Sequence, residues 1–308
     1  MVEVVVFGNV TLDVICQTVD DVPRHESVSF DRVILSPGGC ASNVAVGLAA
    51  LGVEPALVCK VGQDPAAELL QRTWLNFGIN LDYVQVDPSI HTAVSVGLVD
   101  RDAQPRFIHT PGANGRLRLE DFPQELLRIA SIKLLHIAGF FVLPGLLDDQ
   151  LVGFLRKVRQ IGWIVTLDVV NSKRYWRPEY LFSCLGEVDV FLCNKVESAK
   201  LTGKDVIQDA AGSLIGAGAK AVVIKAGGQG CYVHSSGKAE MIPVQPVNVV
   251  DTTGAGDAFA AGLIAALVRG KDLHEACWQA NDCGAKIVQE LGTVTYWEKQ
   301  LQQASRMD

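Results

Sequence analysis

The segment Asp251-Thr252-Thr253-Gly254-Ala255-Gly256-Asp257-Ala258-Phe259 places two glycines and a carboxylate where an apolar, β-branched run, Pro246 to Val250, gives way to a helical pattern, Ala258 to Val268. Gly254 and Gly256 allow a tight turn and a close approach of the backbone to a ligand. A turn that opens a helix offers unpaired N–H groups and the positive end of the helix dipole to an anion. Asp257 adds a negative charge, which would repel a phosphate unless it acts on a neighbouring hydroxyl. An anion site beside a base is what phosphoryl transfer to an alcohol requires. The plainer alternative is a strand-to-helix turn with an acidic residue in the first helical turn. No Gly-Lys-Ser/Thr follows, which excludes a Walker A loop, and Phe259 stands where a dinucleotide fingerprint needs its third glycine.

Further polar residues fall at the carboxyl ends of expected strands, where ligands of open α/β sheets bind. They are Gly8-Asn9-Val10-Thr11-Leu12-Asp13, Pro37-Gly38-Gly39-Cys40-Ala41-Ser42-Asn43, Asn194-Lys195-Val196-Glu197 and Lys225-Ala226-Gly227-Gly228-Gln229-Gly230. Each has a structural alternative: a solvated loop acid at Asp13, a helix cap at Asn43, a first-turn acid at Glu197, a hairpin entry at Gly227 to Gly230. Together they supply hydrogen-bonding groups for hydroxyls, a carboxylate for a magnesium shell, glycine turns for a nucleotide, and an anion site with a base.

The elements that must hold these residues can be read from the pattern. Val2 to Phe7, Leu134 to Ala138, Trp163 to Leu167, Val188 to Cys193 and Ala221 to Lys225 are short apolar runs of buried-strand type. Helices are expected over Ser42 to Leu51, from Asp64-Pro65 to Gly78, over Asp148 to Ile161, over Val206 to Ile215, and from Gly256 and Leu273. Cys231 to His234 and Ala239 to Pro243 read as a hairpin around Ser235-Ser236-Gly237. The alternation implies a mostly parallel sheet covered on both faces. Residues ~14–36 and ~91–110 break the alternation. They could be extra edge strands of the one sheet, but because both flank polar, glycine-rich turns a small separate β-sheet that covers the site is the preferred expectation.

Composition narrows the partners. The chain has 308 residues, 49% hydrophobic, with a net charge of −7. That suffices for one α/β domain, and the acidic balance argues against nucleic acid. Apolar stretches stop well short of the ~18 residues of a membrane span. The opening Met-Val-Glu lacks the leader pattern of a signal peptide. Eight cysteines lack Cys-x-x-Cys spacing, so reduced, buried thiols in a cytoplasmic protein are expected rather than zinc.

With these residues assembled, the chain resembles the ribokinase-like (PfkB) carbohydrate kinases over nearly its whole length. Gly38-Gly39-x-x-x-Asn43 looks like the family's N-terminal signature and Asp251 to Asp257 like its C-terminal one, with Asn194-x-x-Glu197 and Gly227-x-x-Gly230 in matching order between them. The resemblance implies a ribokinase-like α/β fold spanning residues 1–308 as one domain with a β-sheet lid. It also implies transfer of a phosphoryl group from ATP to a hydroxymethyl group. Asp257 would be the catalytic base, with Gly254 and the amides of Ala255, Gly256 and Asp257 forming the anion hole. Asp13, Gly38, Gly39, Asn43 and Thr11 would face the sugar. Asn194, Lys225, Gly227, Gly230 and Asn281 would lie along the nucleotide. Glu197 would act on Mg2+ through water, and Asp251, Thr253 and Gly292 match the place of a monovalent cation such as K+. Relatives often dimerise through the lid sheet, and Val28, Phe30 and Val33 alternate as an edge strand would.

The acceptor is where the chain departs from its relatives. Ribokinases carry Asn in place of Thr11 and Lys in place of Cys40, which argues against a strict ribose kinase. Phe140 and Phe141 offer a stacking surface or are core residues. Arg106 falls where kinases of sugar phosphates keep an arginine that clamps the substrate phosphate. Arg24 and Lys173-Arg174 are weaker candidates for that role, and Asp168 and Asn171 end a strand at the site without an assigned task. Three readings remain: a kinase for a sugar or sugar derivative, phosphorylated acceptors included; a nucleoside kinase of the same fold; and a non-catalytic sugar-binding regulator, against which the intact Gly254 to Asp257 turn speaks.

Overall fold

A computed structural model describes residues 1–102 and 105–304. Residues 103 and 104, within the segment 91–110, and residues 305–308 lie outside the described residues. The chain opens with β1 (Val4–Gly8) and passes to β2 (Thr11–Gln17) and β3 (Arg32–Gly38). It continues through α1 (Cys40–Ala50), β4 (Pro55–Val61), α2 (Pro65–Asn76) and β5 (Val84–Val86), then β6 (Val94–Val99) and β7 (Pro105–Thr110). Alternation follows: β8 (Leu134–Ala138), α3 (Gln150–Gln160), β9 (Ile164–Asp168), α4 (Pro178–Cys184), β10 (Val190–Asn194), α5 (Lys195–Thr202), α6 (Ile207–Gly216) and β11 (Ala221–Lys225). The hairpin β12 (Cys231–Ser235) and β13 (Lys238–Ile242) precedes α7 (Ala255–Val268), α8 (Leu273–Ile287) and α9 (Thr295–Ala304).

The larger sheet runs β13-β12-β11-β10-β9-β8-β1-β4-β5. It is parallel from β5 to β11, and the β12–β13 hairpin is antiparallel at one edge. Its central strands are continuous apolar runs because helices cover both faces. On one face α1, α7 and α8 bury Val4, Val6, Leu192 and Val223. On the other, Val5, Phe7, Leu135 and Phe191 pack under α3, α4 and α6. Each such side chain contributes about 1.5–3 kcal/mol when fully removed from water. At the start of α2, Asp64 accepts from Ala67 N at 2.9 Å, with Pro65 in the first turn. Such a cap is worth roughly 1 kcal/mol.

α7 is buried on nearly all sides. A methyl group on Gly262 would lie 2.8 Å from Cys283 Sγ of α8, so glycine permits the close packing of this pair. That packing gives the N-terminal turn of α7, and Asp257 with it, a rigid seat.

The two segments that broke the alternation form a separate sheet, ordered β3-β2-β6-β7. Asp13 pairs with Ser36 and Ser95, and Ser95 with His109, so these side chains share one face. Val14, Val33, Leu35, Val96 and Ile108 share the other, where Val33, Leu35 and Ile108 are exposed. Residues 18–31 are irregular, so Val28 and Phe30 are exposed loop residues and β3 begins at Arg32. The expected strand over Pro246 to Val250 does not form. This stretch is an irregular strap with Val247, Val249 and Val250 exposed. Its β-branched composition reflects a wall it provides to a cavity rather than a place in a sheet.

Candidate active site

The turn at 251–257 is held from below by Asp251. Its Oδ1 accepts from Thr253 N at 2.9 Å and Thr253 Oγ1 at 2.6 Å, and its Oδ2 from Gly292 N at 3.0 Å. Gly254 has φ 76°, a left-handed value suited to glycine, and a methyl group there would lie 3.0 Å from Thr293. Ala255 N and Asp257 N make turn bonds of 3.3 and 3.1 Å, whereas Gly256 N has no partner among the described residues. That amide is a free donor at the helix entrance. A methyl group on Gly256 would come within 3.0 Å of Lys225 Nζ, so the ammonium stands directly against the turn.

Asp257 is half-buried, and its Oδ2 accepts from Asn43 Nδ2 of α1 at 2.7 Å. Carboxylate oxygens of Asp257 and Asp168 and the Cys40 sulfur lie within 4.8 Å of one another. Burial, then the like charge of Asp168, push the Asp257 carboxyl above its ordinary range, partly offset by Asn43 and Lys225. Burial works against the charge of Asp168 too, but His136, Lys225 and the Gly139 amide, at 2.6 Å, hold it below the usual carboxylate range. Lys225 is the counter-case. Burial disfavours its charge, yet Asp168, Glu197 and Asp257 keep it protonated above the ordinary lysine range.

Two cavities meet at this turn. One, of about 230 Å³, is lined by Asp13, Thr11, Gly39, Asn43, Thr253, Gly254 and Asp257, with Asn9, Ser95, His109 and Asn114. Phe107, Val142, Val170 and Tyr175 make its apolar wall. Asp13 is buried and accepts from Thr11 Oγ1 at 2.7 Å. Burial pushes its carboxyl up to about 7 against the Thr11 bond, and Asp257 adds to the rise. A side chain on Gly38 would strike the Asp13 carboxylate at 2.1 Å, so Gly38 backs Asp13 rather than facing the cavity. Asn9 Oδ1 and Asn43 Oδ1 are buried without a partner among the described residues, a costly state that a ligand hydroxyl would relieve.

The other cavity, of about 390 Å³, is lined by Lys225, Gly227, Gly230, Thr252, Ala255, Gly256 and Asn281, between apolar walls from Val244, Pro246, Val247 and Val288. Asn281 Nδ2 donates to the carbonyls of Ile242 at 2.9 Å and Pro243 at 3.3 Å, which anchors the strap. Asn194 and Glu197 cap α5 reciprocally. Asn194 Oδ1 accepts from Glu197 N and Glu197 Oε2 from Asn194 N, both at 2.8 Å. The buried Glu197 also faces Lys225. Burial first and Asp168 second raise its pKa, against Lys225 and two backbone donors.

Arg106 is not brought to this site. Its guanidinium donates to the carbonyls of Val19 at 3.0 Å and Asp20 at 2.7 Å. Strand alternation explains the outcome: Phe107 and His109 turn toward the cavity, and Arg106 and Ile108 turn away. The same alternation was the available signal for Phe107 and His109. Phe140 and Phe141 are both fully buried, which decides for the core alternative over the stacking one. Tyr175, under the Arg174 guanidinium at 5.2 Å, supplies an aromatic wall instead.

Comparison with known proteins places these observations. The profile described as pfkB family carbohydrate kinase matches residues 1–300. The chain is 32% identical to the ATP-dependent ribose-1-phosphate kinase of Halopiger xanaduensis, over 92% of this chain and 91% of that protein. It is 30% identical to the cytidine kinase of Thermococcus kodakarensis, over 95% of this chain and 98% of that protein. Among solved structures, Arabidopsis thaliana ribokinase complexed with ribose and ATP superposes with a TM-score of 0.81 at 26% identity, covering 98% of this chain and 99% of that one.

Proposed function

The chain belongs to the pfkB family of carbohydrate kinases, and from that premise we propose that it transfers the terminal phosphoryl group of ATP to the hydroxymethyl group of a neutral, hydroxyl-rich sugar or sugar derivative. The observation that carries this reading is the shared turn. Thr252, Ala255 and Gly256 face the larger cavity, while Thr253, Gly254 and Asp257 face the smaller. A phosphoryl group in one and an alcohol in the other meet at Asp257.

In this mechanism Asp257 receives the hydroxymethyl proton, and Asn43 fixes the carboxylate that receives it. An ordinary carboxylate is a weak base for an alcohol. It suffices because the transfer is loose and proton removal is late. The free Gly256 amide and the Lys225 ammonium take up charge on the transferred group. Asp13, Asn9 and Asn43 accept from the other hydroxyls and align the alcohol. The second sheet acts as a lid over the acceptor and keeps out water, the competing alcohol. Mg2+ would neutralise phosphate charge, and Glu197, whose carboxylate interacts with Lys225, would hold it through water. A monovalent cation would rest on Asp251 and the carbonyls of Thr253 and Gly292, segments that Asp251 draws together by accepting from Thr253 N and Gly292 N.

The acceptor is read as neutral because the smaller cavity offers oxygens, which attract hydroxyl donors and repel anions. The wall of Phe107 and Tyr175 favours a second reading within this class, a riboside whose planar base stacks there, in line with the cytidine kinase relative. A second copy covers the apolar outer face of the lid in this reading. Light scattering would then give a dimer, and a monomer would contradict it.

ADP release, measured against pentoses, hexoses, nucleosides and sugar phosphates, tests the acceptor class. Neutral polyols or nucleosides are the expected acceptors, and Arg106→Ala leaves every rate within about twofold. Turnover confined to phosphorylated acceptors, and lost in Arg106→Ala, contradicts the reading.

A further inference from the structure

The loop between α8 and α9 touches both signatures at once. Val288 O accepts from Val250 N at 2.7 Å and Asp251 N at 3.1 Å, closing the strap onto the end of α8. Gly292 N donates to Asp251. Thr293 then makes two contacts in opposite directions. Its Oγ1 donates to Pro37 O at 2.7 Å, at the end of β3, with Ser36 Oγ 3.3 Å away. Its Cβ and methyl press against Gly254, where any added carbon would meet them at 3.0 Å. Thr293 and Ser36 are each 4% exposed, so the contact is dry.

Pro37 stands where the second sheet joins α1, and the next residues carry Cys40 and Asn43 to Asp257. Gly254 opens the turn that carries the free Gly256 amide. A displacement of β3 therefore reaches the turn along two routes: through α1 to the Asp257 carboxylate, and through Thr293 to the backbone beneath it. The first route moves the base. The second moves the phosphate-facing amides with it.

We infer that Thr293 is a positioning residue that locks the second sheet to the anion-binding turn, so that base and amides keep one register when the acceptor is enclosed. The inference rests on the reading of that turn as the phosphoryl site. A buried hydroxyl–carbonyl bond is strong enough for this task, and small misplacements of reacting groups lower rates steeply.

The test uses the full-length protein with its best acceptor. Thr293→Val keeps the shape and loses the hydroxyl. It is expected to lower kcat about tenfold while the KM for ATP stays within about twofold. Thr293→Ser keeps the hydroxyl and is expected to hold kcat within about threefold. Wild-type kcat in Thr293→Val overturns the inference, as does an equal loss in both variants, which would assign the effect to packing. Circular dichroism checks folding, and Thr293→Ala carries the same test should Thr293→Val be insoluble, with wild-type kcat again contradicting it. Asp257→Asn in the same assay separates the two claims. If it is active, the phosphoryl-site reading falls; if it is inactive beside a fully active Thr293→Val, only the lock falls.

Discussion

The cavity proposed for the donor is walled by Val244, Pro246, Val247 and Val288 and framed by glycines, and one of its amide side chains, Asn281, is already bonded to Ile242 and Pro243. The acceptor cavity is assembled from both sheets, carries the carboxylates of Asp13 and Asp257, and leaves the oxygens of Asn9 and Asn43 unpartnered. The contrast has a physical meaning. A flat base with a polyphosphate tail needs an apolar slot and an anion hole, both of which the larger sheet and its helices hold ready. A polyol needs many hydrogen bonds of fixed direction, which are worth more when its arrival completes them. On the proposed reading the donor side is preformed, and the acceptor side is finished by its ligand.

Substitutions on either side should separate accordingly. The largest of these effects is expected at the shared turn. Gly256→Ala places a methyl group against Lys225 Nζ, 3.0 Å away, and obstructs the free amide. A loss of about 10²–10³ in kcat follows if that amide stabilises the transferred group. Unchanged single-turnover rates would show that the donor phosphate lies elsewhere.

Asp13 tests the acceptor side with a smaller effect. Asp13→Asn is expected to lower kcat/KM for the acceptor by about 10–100-fold, with ATP affinity retained. The same residue gives a signed pH prediction. Its carboxyl is raised from an ordinary 3.8 to about 7 by burial. Folded protein without acceptor therefore binds this proton more tightly than unfolded chain. The stability it contributes is complete below the ordinary value and is lost as pH rises from 3.8 to about 7. Thermal unfolding scans over this range should show a decline that Asp13→Asn flattens. An unchanged slope would place the Asp13 carboxyl in water. Arg106→Ala, committed to Val19 and Asp20 at the far side of β7, marks the small end of the scale.

How much of this was legible depended on which physical rule dominated locally. Apolar runs ending in glycine or a polar residue located β1, β8, β9, β10 and β11 to within two residues. There burial on both faces leaves one reading of the pattern. The absence of a helix pattern in 14–36 and 91–110 left extra edge strands and a second sheet both open, and the polar, glycine-rich turns beside these segments favoured the second sheet. Pro246 to Val250 misled because β-branched residues suit a cavity wall as well as a strand. Arg106 was read by its type, while its neighbours' period-two alternation held the information about where it points. Asn194 and Glu197 show the converse. Their spacing is at once a capping box, which the structure contains, and a plausible phosphate-side pair. Asn9 stood in the strand-end motif without a task of its own, and Asn114 and Tyr175 escaped because their place depends on how separate segments fold together. Asn114, for instance, exchanges bonds of 3.1 and 2.8 Å with the backbone of Val10, 104 residues away.

The central claim is that the carboxylate at 257 takes the acceptor's proton while other groups bind the nucleotide. Single-turnover transfer from ATP to the best acceptor, measured for Asp257→Asn beside a calorimetric ATP titration, tests it most directly. The account predicts a transfer rate lower by about 10²–10⁴ with ATP affinity within about twofold. Transfer at the wild-type rate, or a loss fully explained by weaker ATP binding, would contradict it.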